Sequence, residues 1–426
     1  MPEPRPIAVV GAGIVGAACA RALQRDGRRV LLIDRDPPGK GCSYGNAGHI
    51  AIDHIRPLSR PDVLLRVPRM LADPLGPLAI RWRHLPQLWP WLARFALAAR
   101  PGRVKAATSA LASLLESAVE DWRAEAAASG ARDLFRWQGA LVVYETARAF
   151  RDAEAERQIQ CRHGVVVKTL TGEEARDMAP GLTGAVQAAT FYPQAAHVVD
   201  PHRLVTALVD AFARDGGTVE RAHVRGFAAA SGDALSLMTD HGPVEVEAAV
   251  IAAGLGSKDL VREAGLSAPM AAERGYHLML DATEARFDVP VSSAERGFVL
   301  TPMATGLRLA GTVELADPSS PPFWARAELL EGHARALFPG LGGSAGARWV
   351  GSRPTLPDYL PAIGRVPGRR NLFMAFGHQH LGLTLAATTG RLVADLVADR
   401  PAPLDLRPFA PDRFTRGRRP ARVCAG

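Results

Sequence analysis

Cysteine is scarce: Cys19, Cys42, Cys161 and Cys424 stand alone, with no C-x-x-C pair and no metal-type spacing to histidine. A zinc module or a disulfide framework is therefore not what organises the chain, and free thiols in a reducing compartment are expected. Long apolar runs are missing too, since none approaches the roughly 20 residues that a membrane-spanning helix needs. The opening MPEPRPIAVVGAG passes straight into a core-type strand without a basic leader or cleavage site, so a cytoplasmic location is expected. No internal repeat or low-complexity tract is evident. Charge of one sign is not gathered anywhere: the net +8 is mostly Arg scattered through a chain rich in Ala, Gly and Pro. Without a basic stripe, a finger spacing or an aromatic RNA-binding signature, no nucleic-acid partner is expected. No paired histidine and carboxylate spacing announces a metal either. What is present is ordinary for a globular protein: 426 residues, 47% hydrophobic and 22% charged, enough for two or three domains.

The first stretch carries the strongest signal. Ile7 to Val10 form a short apolar run, Gly11 to Gly16 break it, Ala17 to Arg25 read as helix, and Val30 to Ile33 form a second run. This is strand, glycine turn, helix, strand. In GAGIVG, Gly11 permits the tight turn, Gly13 lets backbone approach a pyrophosphate, and Gly16 lets helix pack on strand. The helix N-terminus then offers N–H groups and a positive dipole end to phosphate. Asp34, at the end of the second strand, accepts hydrogen bonds from a ribose diol. A lone glycine fingerprint is weak; its strand, helix and trailing acid make a dinucleotide site the reading over a simple glycine turn.

That unit serves FAD or NAD equally, and three later segments favour flavin. CSYGNAGH sets small residues just past the acid, where a long cofactor can pass close to the backbone; the alternative is a surface turn. VEVEAAVIAAGLGS (244–257) returns the chain to the nucleotide domain, although a plain buried strand reads the same way. FGHQHLG opens onto the helix TLAATTGRLVADLV, whose N–H groups suit negative charge on a reduced flavin ring; the alternative is a glycine-rich cap. A flavoenzyme reduced by NAD(P)H usually carries a second fingerprint. The nearest decoy, PGLGGSAG (339–346), lacks a preceding strand and a following acid, so the reductant is expected to be the organic substrate.

The remaining pattern is of different texture. Prolines punctuate 57–129, an inserted helical region, with an amphipathic pattern over Ala106 to Ser129. ALVVYE and AVQAATFYP read as strands, DPHRLVTALVDAFARDGG as a capped helix, and 270–314 alternates as antiparallel sheet. The expectation is an α/β chain. A Rossmann-like FAD-binding domain is assembled from 1–56, 194–265 and 346–426. A second α+β substrate domain of mixed or antiparallel sheet comes from 57–193 and 266–345.

With GAGIVG, SYGNAGH, ERGYH, RLAGTVE, GSRPTLPDYLPAIG and FGHQHLG in this order, the sequence resembles the D-amino-acid oxidase and dehydrogenase superfamily, most of all its dehydrogenase branch. The resemblance spans nearly the whole chain. It implies noncovalent FAD, a sheet domain over the flavin, and oxidation of an amine carbon to an imine that water hydrolyses. SYGNAGHI and ERGYH are most similar to members acting on D-proline or hydroxyproline. Sarcosine- or glycine-type amines, and a noncatalytic FAD-binding subunit, are the alternatives.

The cofactor is expected to touch Gly11, Ala12, Gly13, Ile14, Val15, Gly16, Asp34 and Arg35, then Ser43, Asn46, Ala47 and Gly48. Further along come Val224, Ala253, Gly254, Gly256 and Arg353, and finally Gly377, His378, Gln379, His380, Leu381, Gly382, Leu383 and Thr384. For the substrate, Arg353 is the first choice as a carboxylate clamp, because its planar fork makes two parallel charge-assisted hydrogen bonds. Arg274 and Arg308 are second choices; for each the alternative is a structural Arg. Tyr276 either bonds the carboxylate or packs in the core. His49 and His277 are expected to line the site, with no strong base needed if the amine binds neutral. A quinone or carrier protein is the expected electron acceptor. The segment IRWRHLPQLWPWLARFALAAR (80–100) mixes Trp and Leu with Arg, a composition for peripheral membrane contact or for packing on its own domain.

Overall fold

In the computed structural model, which describes residues 5–229, 234–281 and 287–415, the short apolar runs become the centre of a six-stranded sheet. Its order is Thr218–Arg221, Val30–Asp34, Ile7–Val10, Ala248–Ile251, Leu372–Phe376 and Ala362–Arg365, parallel except for the last pair. Continuous apolar strands such as IAVV and LFMAF suit a parallel sheet covered on both faces. The helices Ile14–Arg25, Pro201–Arg214 and Gly382–Val397 cover one face. The first and last cross so closely that a Cβ on Gly390 would lie 2.6 Å from the Ala18 carbonyl oxygen. The other face packs on a three-stranded sheet (Val224–Ala229, Leu235–Thr239, Gly242–Val246).

The second layer is a larger mixed sheet. From one edge it runs Ala345–Thr355, Ala271–Leu280, Gly306–Leu315, Phe298–Met303, Val291–Ser293, Ala140–Tyr144, Ala188–Tyr192, Lys168–Thr171, with Leu78–Ile80 pairing Gly306–Leu315. Ala325–Leu337 packs on one face of it. The chain thus has the α/β fold with a Rossmann-like domain and a mixed-sheet second domain.

Three expectations need correction. The sequence division gave residues 346–355 to the nucleotide domain, but Ala345–Thr355 is an edge strand of the larger sheet, paired along Ala271–Leu280. Its glycines and proline disguise an 11-residue strand as a loop. VEVEAAVIAAGLGS is not one strand: Gly242–Val246 and Ala248–Ile251 lie in different sheets, with the change at Glu247. Ala106 to Ser129 is two helices, Pro101–Leu115 and Ala118–Ser129, separated at Glu116 and Ser117. Cys424 and the termini of the expected nucleotide domain (1–4 and 416–426) lie outside the described residues.

Candidate functional site

The glycines of the first turn hold three different positions. Gly11 has φ +111°, and a Cβ there would lie 2.5 Å from the Ala252 carbonyl oxygen; at Gly16 it would lie 1.7 Å from the Gly11 oxygen. Both are contacts of backbone on backbone. Gly13 is open, since a Cβ would meet only Ser43 Oγ at 3.4 Å. That space belongs to a long cleft lined by Gly11, Gly13, Ile14 and Val15, where first-turn N–H groups have no carbonyl four residues back. Ile14 N donates to Ser43 Oγ at 3.0 Å. Asp34 Oδ2 accepts from Ala12 N at 2.6 Å and Oδ1 from Asp36 N at 3.0 Å. Each oxygen keeps a lone pair for a ribose hydroxyl. A glycine cradle, a helix N-terminus and a carboxylate on one cleft fit the adenosine diphosphate half of FAD.

The cleft continues along Arg35, Ser43 and Asn46, past Val224, Ala253, Gly254 and Gly256, to Gly377, His378, Gln379, Gly382 and Leu383. These segments come from four separate parts of the chain. The other expected cofactor residues stand behind this surface. Ala12 serves through its N–H to Asp34, Gly16 through the helix–strand contact, and Leu381 is buried among Leu360, Ile363 and Phe409. Thr384 Oγ1 accepts from Ala51 N at 3.0 Å. Gly48 has φ +78° and packs on the Val198 carbonyl, carrying Ala47 with it off the cleft lining.

The SYGNAGH loop is not an independent surface turn; the large sheet grips it from three sides. His277 Nδ1 lies 2.9 Å from the Gly45 oxygen, and because a carbonyl only accepts, this nitrogen carries the proton. Burial, then Arg308, pushes the His277 pKa down to about 4, so the ring is a neutral donor. Arg308 Nη1 donates to the Asn46 oxygen at 2.5 Å, and burial lowers its pKa to about 10. Trp349 stacks on His277 and lies over Gly45, where a Cβ would be 2.1 Å from the indole. His277 and Arg308 thus contact the loop that lines the cleft, and Gly45 is small because Trp349 fills its side-chain space.

The ERGYH strand separates the remaining candidates by face. Side chains alternate along a strand, so Glu273, Gly275 and His277 face the nucleotide domain while Arg274 and Tyr276 face the other way. There Arg274 Nη1 lies 3.2 Å from Glu314 Oε2, and Tyr276 Oη donates to the same oxygen at 2.6 Å. Arg81 Nε reaches Glu314 Oε1 at 2.6 Å. The structure therefore takes Arg274 and Tyr276 away from the cleft into a buried ion cluster beneath Ala325–Leu337.

Arg353, across the pair from Glu273, is on the cleft side. Its Nη1 lies 3.3 Å from Glu273 Oε1, and its guanidinium occupies the room left by Gly275, where a Cβ would be 2.2 Å from Nη2. Glu273 Oε2 also accepts from Thr355 Oγ1 at 3.0 Å and Tyr359 Oη at 2.9 Å. Arg353 is 23% exposed, and its Nε and Nη2 have no hydrogen-bond partner among the described residues. Tyr359 (φ 59°) and Gln379 (φ 48°) flank it in the left-handed region, tied by Gln379 Nε2 donating to the Tyr359 oxygen. Such backbone costs of order 1–3 kcal/mol and persists where surroundings over-determine it. His49 lies on the short strand His49–Ile50; burial lowers its pKa to about 4, and its Nε2 has no partner among the described residues. His380 stands beside Tyr359, and its pKa is pushed well down by burial, His54 and Arg353.

Sequence reasoning missed Glu273, Trp349 and Tyr359, and the cleft-lining Lys40, Cys42 and Pro354. Glu273 had a visible signal in its alternation with Arg274, while Trp349 had none before its strand was recognised.

The model of the family described as DAO, FAD dependent oxidoreductase, matches residues 6–396. A D-amino-acid oxidase of Bradyrhizobium diazoefficiens is 36% identical over 97% of this chain and 100% of that protein. A D-amino acid dehydrogenase of Paramagnetospirillum magneticum is 32% identical over 96% of this chain and 99% of its own. The glycine oxidase structure from Geobacillus kaustophilus superposes with a TM-score of 0.74 at 26% identity, covering 96% and 99% of the two chains. The glycine cradle, the acid at Asp34 and a matching relative over the full length place this chain in the DAO family of FAD-dependent oxidoreductases.

Proposed function

We propose that this enzyme oxidises the α-carbon of a D-amino acid to an imine, which water hydrolyses to a 2-oxo acid and ammonium. Bound FAD would supply the acceptor for the hydride. The observation that carries the reading is Arg353, two of whose guanidinium nitrogens have no hydrogen-bond partner among the described residues, on the strand whose Thr355 bridges His378 of the Gly377–Leu383 loop. Its fork meets an α-carboxylate, and Glu273, anchored by Thr355 and Tyr359, fixes the fork's direction. His277, Arg308 and Trp349 hold the loop that would bring Ser43 and Asn46 to the cofactor. His49 and His277, both neutral, line the site without acting as strong bases. The names of these two relatives support the D configuration. D-Proline and hydroxy-D-proline are the finer candidates, on the motifs SYGNAGHI and ERGYH. The test is 2-oxo acid or cyclic imine formation from D- and L-enantiomers and from glycine and sarcosine, with an artificial electron acceptor. Product from D-isomers supports the reading; turnover confined to glycine-type amines or L-isomers rejects it.

The physiological acceptor fits a quinone reached at a membrane surface, or a carrier protein. The segment 80–100 divides in two: Leu88, Trp91 and Phe95 pack inward, Trp91 Nε1 donating to the Thr355 oxygen at 2.9 Å, while Trp89 and Trp82 are each 65% exposed. Pro61–Ala72 adds Leu65, 83% exposed, in a helix with no buried residue. Arg66, Arg69, Arg83 and Arg94 surround these side chains in sequence, the composition of an interfacial contact on the inner face of an anionic bilayer. No helix among the described residues is long and apolar enough to cross a membrane.

A further inference from the structure

Among the described residues, Gln379 is the one side chain that both lines the cleft and holds a polar atom that is buried and unpartnered, its Oε1. The amide is not free to turn. Its Nε2 donates to the Tyr359 backbone oxygen, and a carbonyl only accepts, so the nitrogen faces Tyr359 and the oxygen is the atom left over. Gln379 is 5% exposed and has φ +48°, in the left-handed region that glycine adopts without strain. Tyr359, at the other end of that hydrogen bond, has φ +59°. A strained backbone carrying a buried amide with an unmet acceptor is an expensive arrangement for packing alone, and a glycine at 379 would avoid both penalties.

An amide oxygen accepts and never donates, so what completes it is an N–H or O–H of a ligand. Its surroundings narrow the choice. Tyr359 Oη donates to Glu273 Oε2 at 2.9 Å, Glu273 Oε1 lies 3.3 Å from Arg353 Nη1, and Thr355, on the same strand as Arg353, bridges His378 beside Gln379. One hydrogen-bonded unit therefore presents a guanidinium fork, which takes a carboxylate, and an amide oxygen, which takes a donor. An α-amino acid carries both complements on a single carbon, the carboxylate and the amine N–H.

We propose that Gln379 Oε1 accepts the N–H of the substrate amine, bound neutral, and favours its conversion to the iminium. The inference rests on the amino-acid reading, because it takes Arg353 as the carboxylate anchor. As the Cα–H bond breaks and the hydride leaves for the bound cofactor, the nitrogen lone pair closes the C=N bond and the nitrogen becomes positive. Its hydrogen bond to Oε1 turns from a neutral one into a charge-assisted one, roughly twice as strong. That gain is realised in the transition state, so it raises the rate of oxidation more than the affinity for substrate. Gln379 takes no proton; water adds to the iminium carbon and expels ammonium.

The experiment is anaerobic flavin reduction by D-alanine in the holoenzyme, with the limiting rate and the apparent Kd measured separately, for wild type, Gln379→Met and Gln379→Glu. Methionine is of similar length but has no amide oxygen, whereas glutamate keeps an oxygen at the same reach. In Gln379→Met the limiting rate is expected to fall roughly 10- to 150-fold, the size of one charge-assisted hydrogen bond, while the apparent Kd changes by less than about threefold. Gln379→Glu should recover part of the rate. FAD content and the inhibition constant of propanoate, which offers the carboxylate without the amine, should stay within about twofold of wild type, a split that loss of packing would not produce. Where Gln379→Met does not accumulate as folded holoenzyme, Gln379→Asn takes its place, since asparagine tolerates the left-handed backbone and draws the oxygen back by one methylene. A limiting rate within about twofold of wild type overturns the inference, as does a Gln379→Glu no faster than Gln379→Met. FAD lost in proportion to activity overturns it by moving Gln379 to the cofactor, and propanoate binding weakened as much as the rate overturns it by moving Gln379 to the clamp. A wild type reduced by no D-amino acid would instead overturn the reading of the site as a whole.

Discussion

Replacing Arg353 by lysine isolates the fork from the charge. In the structure one guanidinium nitrogen is held on Glu273 at 3.3 Å and two have no partner among the described residues. A lysine ammonium is a point charge that reaches either Glu273 or a substrate carboxylate, not both in the parallel geometry the fork provides. The loss is therefore at least one charge-assisted hydrogen bond, about 1.5–3 kcal/mol, which corresponds to roughly a 10- to 150-fold fall in kcat/KM. Glu273 keeps Thr355 and Tyr359, so the strand pair should stay in place and the melting temperature should move little. The assay is kcat/KM for a D-amino acid with an artificial acceptor, alongside the visible flavin absorbance per mole of protein. Unchanged kcat/KM with full flavin content would refute the clamp. Loss of flavin in proportion to activity would move Arg353 from the substrate to the cofactor.

The two glycines of the cradle should fail differently. Gly13→Val puts a side chain where only Ser43 Oγ stands within 4 Å, so the protein should fold with a near-normal melting temperature yet purify without FAD. Gly16→Ala drives a methyl onto the Gly11 oxygen and should lose both flavin and about 1–3 kcal/mol of stability by denaturant melting; a stable, yellow Gly16→Ala would contradict the packing described. Tyr276→Phe should cost about 1–3 kcal/mol by removing a hydroxyl from the buried Glu314, with kcat/KM of the folded enzyme within roughly twofold of wild type. A large kinetic defect without destabilisation would return Tyr276 to the site. Trp82→Ala combined with Trp89→Ala should weaken co-sedimentation with phosphatidylserine vesicles, and salt should weaken the wild type; equal sedimentation at all salt concentrations would remove the membrane contact.

The parts legible in the sequence were those fixed by local rules. A strand–glycine–helix–strand unit with an acid at its end has one steric and electrostatic solution, so Gly11, Gly13, Gly16 and Asp34 could be read directly. The order of later motifs then identified the family. What could not be read was the face each side chain of ERGYH takes, because period-two alternation says that Glu273 and Arg274 oppose one another without saying which looks at the cleft. Register with Ala345–Thr355 decides it, and that strand is hidden by glycine and proline. Gly45 shows the same difficulty: it was read as clearance for a cofactor, whereas its missing side chain is filled by Trp349, about 300 residues further along.

The central claim is that a D-amino acid delivers its α-hydrogen within this cleft. Its direct test is anaerobic rapid mixing of the FAD-loaded enzyme with D-glutamate, D-alanine and D-proline, each also as the α-deuterated compound and as the L-enantiomer. Loss of the visible flavin absorbance is expected with D-isomers only, slowed by α-deuteration. Flavin that keeps its absorbance with every D-amino acid, or that is reduced by L-isomers equally well, would contradict it.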